Sequence, residues 1–221
     1  DADIDQTGTN NVATANQSDA GNTAQIDQDG TANRGTVTQS GTDAVLGNAS
    51  DAFLKQDGTN NQALIEQARG YTGTGSGITV DARQDGDRNT VTVNQSGRNQ
   101  LIDIDQAGER NNADVTQQTR HHLTDIDQAG TANVAVTRQS TGNSGEIDVD
   151  QDGTSNRADV EQSFVGSGTV GGPQLPTATI ARVLQDGTSN QADVFQSSSS
   201  NARVDVLQYG TSNNATVDQF N

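Results

Sequence analysis

The sequence predicts an all-β fold: a β-solenoid of nine stacked β-arch (strand-turn-strand) repeats, about 22 residues per coil, with loop insertions on one edge. Three observations predict it. A segment of the form Q-x-G-x-x-N-x-(small)-x-x-x-Q recurs nine times with no change in its internal spacing. Its flanks alternate apolar and polar with period 2, as strands do. All variation in repeat length falls after the closing Gln, as when insertions bulge from one edge of a stack.

The repeats can be followed in order. The opening glutamines are Gln6, Gln28, Gln56, Gln84, Gln106, Gln128, Gln151, Gln185 and Gln208. Two residues on stand Gly8, Gly30, Gly58, Gly86, Gly108, Gly130, Gly153, Gly187 and Gly210. Three further on stand Asn11, Asn33, Asn61, Asn89, Asn111, Asn133, Asn156, Asn190 and Asn213. The segments close on Gln17, Gln39, Gln67, Gln95, Gln117, Gln139, Gln162, Gln196 and Gln219. Each reads as a strand ending at the first Gln, a short turn in which Gly takes a conformation that a Cβ resists, and a strand from Asn to the second Gln. Successive opening glutamines lie 22, 28, 28, 22, 22, 23, 34 and 23 residues apart. The longer intervals place loop insertions at about 40–50, 68–77 and 163–177, and 1–221 is expected to be a single domain.

Alternation also predicts the interior. Two residues before each opening Gln come Ile4, Ile26, Leu54, Ala82, Ile104, Ile126, Val149, Val183 and Val206. Two residues after each Asn the side chain is nearly always Ala, so small side chains face aliphatic ones over a thin core. Burying so many amides costs several kcal/mol each if they are unpaired. Identical amides stacked about 4.8 Å apart can bond one another in continuous ladders, since each has a donor and an acceptor. The Gln, Gly and Asn positions above are therefore the expected structural ladder, with the amide columns bonding side chain to side chain.

Composition narrows the function. Only 29% of residues are hydrophobic and 3% aromatic, and the net charge is −17. Without the repeat, such a chain would read as disordered. The acidity argues against nucleic acid as a partner, which needs a basic footprint. No apolar run is long enough to insert in a membrane. The absence of Cys excludes disulfides and thiolate-held metals. Asp1 begins inside a repeat, as in a processed chain, and neither terminus shows a cap. Open strand edges at both ends are therefore expected, and they would let copies join head to tail in a contact that does not close.

The motif resembles the curlin repeat of bacterial curli subunits, a secreted functional amyloid. QDGTSNRADVEQ (151–162), QDGTSNQADVFQ (185–196) and QYGTSNNATVDQ (208–219) fit it closely, and the resemblance covers nearly the whole chain apart from the loops. It implies a structural subunit of an extracellular curli-like fibre in the biofilm matrix. The implied partners are further copies of the chain, a nucleator subunit and export machinery. The alternative is a monomeric β-solenoid surface adhesin or ice-binding protein.

Other motifs weigh little beside the repeat. Asp3, Asp81, Asp103, Asp125, Asp148 and Asp205 form one expected outward column, and Asp5, Asp27, Asp105, Asp127 and Asp150 a second. They read as a soluble face, with cation binding or acid-triggered assembly as the sharper reading. His121 and His122 lack an evident third ligand and read as loop or edge residues. Paired carboxylates recur in register with the repeat, so no position is singular enough for catalysis. The sequence predicts no enzyme, no cofactor and no metal site.

Overall fold

Period-2 alternation becomes strands throughout. The structure, a computed structural model, describes residues 1–18, 20–41, 50–69, 77–142, 144–163, 179–197 and 202–220. In chain order its strands are β1 (Ala2–Thr9), β2 (Val12–Gln17), β3 (Thr23–Thr31), β4 (Arg34–Gly41), β5 (Ser50–Thr59) and β6 (Gln62–Arg69). There follow β7 (Ile78–Asp87), β8 (Thr90–Arg98), β9 (Gln100–Glu109), β10 (Asn112–Arg120), β11 (Leu123–Thr131) and β12 (Val134–Thr141). The last are β13 (Gly145–Thr154), β14 (Arg157–Ser163), β15 (Thr179–Thr188), β16 (Gln191–Ser197), β17 (Arg203–Thr211) and β18 (Asn214–Phe220). The odd-numbered strands form one nine-stranded parallel sheet and the even-numbered strands another. No helix occurs among the described residues. The result is a solenoid-like stack, each rung an odd strand and the even strand after it.

Register is what makes the stack regular. Gln106 lies between Gln84 and Gln128, and Gly108 between Gly86 and Gly130. In the even sheet Gln117 lies between Gln95 and Gln139. A slip of one residue would turn every inward side chain out, so the alternation itself fixes the register.

The core is a narrow seam between the sheets. Ile26, Leu54, Ile104 and Ile126 come from the odd sheet, and Val37, Ile65, Val93 and Val115 from the even one. The small column facing the aliphatic one is a packing requirement. At Gly35 an added Cβ would sit 2.6 Å from Leu54 Cδ2. Thr124 interrupts the column of Ile102 and Ile147 and turns its hydroxyl to the amides, accepting from Gln117 Nε2 at 2.8 Å.

Two expectations are corrected here. Strands do not stop at the opening Gln. They run three residues past it, so the Gly lies within strand and the break is only two residues long, as at Arg110–Asn111. The insertions are also narrower than expected, because 40–41, 50, 68–69 and 163 are strand. What remains of them, 42–49, 70–76 and 164–177, lies outside the described residues.

Candidate functional site: the stacked amide columns

The opening glutamines form one continuous column. Each Nε2 donates to the Oε1 of the next, from Gln6 to Gln208, at 2.6–2.9 Å. The closing glutamines do the same from Gln17 to Gln219, at 2.7–3.2 Å. The second amide hydrogen crosses the core to the opposite sheet. Gln106 Nε2 donates to Thr90 O at 3.0 Å, and Gln162 Nε2 to Glu146 O at 3.0 Å. A buried primary amide with both hydrogens placed meets its desolvation cost, and here this holds the two sheets together as well.

The asparagines are arranged differently from the expectation. Between Asn11 and Asn190 they do not bond side chain to side chain. Asn111 Nδ2 donates to Ala107 O in its own turn at 2.9 Å and to Gly130 O in the next rung at 3.2 Å. Its Oδ1 accepts the Asn133 N–H at 3.0 Å. The Asn side chain is one methylene shorter than Gln, so it reaches backbone rather than the next amide. Only Asn213 departs, donating to Asn190 Oδ1 at 3.0 Å. Each Asn thus closes its own turn and fastens the next.

The glycine column answers to the same geometry. All nine have φ between +100° and +128°. A Cβ at Gly108 would overlap the Gly130 carbonyl oxygen, and the equivalent overlap recurs at each rung below Gly210. The residue two after each Gly, for example Arg110, is also left-handed, with φ of +56° to +60° in all nine repeats. Sequence reading missed that position. It holds Asn, Ala, Arg or Ser, so only the spacing marks it.

A second arc leads from each closing Gln to the next rung, and it is a weaker copy of the first. Asn22 lies five residues after Gln17, the offset of Asn11 from Gln6, and its Nδ2 donates to Ser18 O at 2.9 Å. Gln100 Nε2 donates to Ser96 O at 3.0 Å from the same offset. That shared offset was the signal by which these residues could have been found. His122 takes the position one rung later; both histidines lie in the break between β10 and β11, as expected of loop residues, but His122 is buried while His121 is exposed. His122 Nδ1 accepts the Gly145 N–H at 3.1 Å. Burial pushes the His122 imidazole down to about 4, His121 presses the same way, and a hydrogen bond to the Gln118 backbone opposes them.

Outward electrostatics follow the register too. Asp103, Asp125 and Asp148 stack in one file and Asp105, Asp127 and Asp150 in the next. Arginines break the files at Arg83, 2.9 Å from Asp81, and at Arg182, 2.7 Å from Asp148. Partial burial pushes the Asp125 carboxyl up to about 6, with Asp127, Asp103, Asp148 and Asp105 adding repulsion. No cluster suited to a metal ion occurs among the described residues.

A family model described as the curlin associated repeat matches residues 1–30, 75–108 and 99–130. No curated protein matches the chain. The matched segments contain four of the opening glutamines, Gln6, Gln28, Gln84 and Gln106, and a fifth, Gln128.

Proposed function

We propose, from the three segments that the curlin associated repeat model matches, that the chain is a structural subunit of an extracellular, curli-like amyloid fibre of the biofilm matrix. In this reading residues 1–221 are one solenoid domain of nine β-arches, and copies add head to tail. The partners are further copies, a nucleator subunit and export machinery. The chain has no catalytic role, and it neither binds nucleic acid nor inserts in a membrane.

One observation carries the reading. Both Gln columns point the same way, every Nε2 donating toward the higher-numbered rung. Each rung therefore offers amide acceptors on one side and donors on the other, with the strand backbone groups beside them. Any rung is complementary to a translated copy of itself, which is the condition for growth along one axis. The ice-binding alternative gains nothing from the surface. Its row of Thr59 and Thr131 is broken by Asp87 and Glu109 in register.

The test is electron microscopy of protein diluted from denaturant, with and without preformed seeds. Unbranched filaments that seeds accelerate are the expected result. Monomers that persist with a β-rich circular dichroism spectrum would overturn the reading.

A further inference from the structure

The Gln columns, the glycine column and the parallel ladders repeat from rung to rung, so by themselves they let any rung stack on any other. Repeat proteins mis-assemble by that route, with a rung skipped or taken from another copy. Residues that tell rungs apart lie where an inward column breaks its own pattern. Two such breaks come as matched pairs, each joining successive rungs.

The first pair is Gly35 and Leu54. Two residues before each opening Gln the chain has Ile or Val, except at Leu54 and Ala82. Two residues after each Asn it has Ala, except at Gly35 and Val91. Gly35 on β4 meets Leu54 on β5 across the core, where an added Cβ would lie 2.6 Å from Leu54 Cδ2. Leu branches one carbon further out than Ile, so its Cδ2 takes the room that an Ala Cβ fills elsewhere. The second pair is His122 and Gly145. They are neighbours in an inward column of the odd sheet that otherwise carries side chains, among them Ser50, Ile78, Gln100 and Thr179. A Cβ at Gly145 would lie 3.0 Å from His122 Nδ1 and 2.6 Å from Gln162 Oε1. The ring therefore fits only beneath a glycine, and its Nδ1 accepts that glycine's N–H.

We propose that Leu54–Gly35 and His122–Gly145 specify the order of the rungs, each pair accepting its native neighbour and rejecting a slip of one rung. Skipping the β5–β6 rung would bring β7 beside β3. Ala82 would then stand in the place of Leu54, opposite Gly35, and the smallest residues of the two columns would enclose a void. Skipping the β13–β14 rung would bring β15 beside β11. Thr179 would then stand in the place of Gly145, with a Cβ where the His122 ring leaves no room. One slip opens a hole and the other forces an overlap, while the Gln columns would close equally well in both.

The inference concerns the stack of a single chain and does not depend on the fibre reading. Within one chain a slip also forfeits the burial of the skipped rung, which already disfavours it. Between copies nothing is forfeited, because another copy's rung brings the same amides and the same backbone ladder. There the matched pairs alone discriminate. They touch no ligand and act only through the neighbours they admit.

The experiment refolds the full chain from urea in oxidising buffer, with disulfides read on non-reducing gels as fast-running monomer and as dimer. The chain has no Cys, so an introduced pair reports alone. Thr36 and Thr92 flank Leu64 on the even sheet. They are two strand spacings apart, about 9.6 Å, which is beyond the reach of a disulfide. Thr36→Cys/Thr92→Cys should therefore stay reduced, against the full yield set by Thr36→Cys/Leu64→Cys, whose positions are adjacent. Gly35→Ala/Leu54→Ile gives this boundary the Ala and Ile of other rungs. Added to the Thr36→Cys/Thr92→Cys pair, it should raise the disulfide about tenfold, a small part of what a Leu-sized void would discriminate. Melting temperatures keep this apart from lost stability. Gly35→Ala alone should melt about 5 °C lower, and Gly35→Ala/Leu54→Ile should return to within about 1 °C of wild type. At the second pair, His122→Gln/Gly145→Ala should likewise raise the disulfide of Asp127→Cys/Leu184→Cys, which flank Asp150. The proposal is overturned if the Gly35 and Leu54 effects simply add. It is equally overturned if either exchanged pair leaves its disulfide at the level of the native pair.

Discussion

Each rung turns twice, and the two turns obey different rules. The first arc, from opening Gln to Asn, has the same length in every repeat. The second, from closing Gln to the next strand, varies from rung to rung and takes all the insertions. The difference lies in what stacks on what. In the first arc each Gly carbonyl accepts an Asn amide from the rung before and leaves no room for a Cβ below it, so every rung constrains its neighbours. In the second arc Gly21 has open space around it, and the capping position holds Asn22, Gln100 or His122 in turn. A turn that must copy itself cannot drift, and one that only has to connect can.

Lengthening each arc makes the sharpest test. Two residues inserted between Glu109 and Arg110 should separate Asn111 from Ala107 O, Gly130 O and the Asn133 N–H together. The expected loss is roughly 3–5 kcal/mol in urea unfolding of the monomer. The same insertion between Ala20 and Gly21 should cost under about 1 kcal/mol, the price of a slightly longer loop. Equal costs would mean that the first arc's fixed length is not a stacking constraint.

Glycine substitutions come next in size. Gly108 and Gly21 are both left-handed, at φ of +111° and +89°. Gly108→Ala adds overlap with the Gly130 carbonyl to backbone strain, and should cost roughly 3 kcal/mol or more. Gly21→Ala carries the strain alone and should cost about 1 kcal/mol. Thermal unfolding of the two variants side by side separates overlap from strain. Asparagine truncation is smaller again. Asn111→Ala removes three hydrogen bonds and should cost roughly 2–3 kcal/mol, against about 1 kcal/mol for Asn22→Ala.

Most of this architecture was legible because the sequence repeats it. Gln106, Gly108 and Asn111 recur at fixed offsets, and period 2 told inside from outside. The partner of each amide was harder to read, since spacing fixes which residues are adjacent but not how far a side chain reaches. Gln and Asn were therefore given one ladder geometry when their lengths impose two. The left-handed residue at Arg110 was hidden by its variety. The burial of His122 was hidden by the second arc's degeneracy: a ring in the place of an amide looks like an exposed loop residue until the rungs are stacked. The family match adds the curlin-repeat assignment over the segments it covers, and the register extends the same offsets through the other rungs.

The last effect depends on pH, and there a buried ring and an exposed carboxylate oppose each other. His122 has a folded value of about 4, below the 6.5 of an exposed imidazole. Between those values the unfolded chain binds a proton that the folded chain refuses. Stability is therefore full above pH 6.5 and falls as pH drops toward 4, by on the order of 3 kcal/mol if burial is complete. Asp125 runs the other way. Its folded value of about 6 lies above the ordinary 3.8, so the folded chain takes the proton first and stability rises as pH falls from 6 toward 3.8. His122→Gln should remove the first effect and leave the second, since Gln100 fills the same position one rung earlier. The variant should therefore gain on wild type as pH falls from 7 to 5, when melting temperatures are measured at each pH, and should become more stable in absolute terms over that window. A constant gap between the two would mean that His122 opens to solvent without unfolding the stack. The second arc would then be loose enough at that rung to let the ring titrate freely.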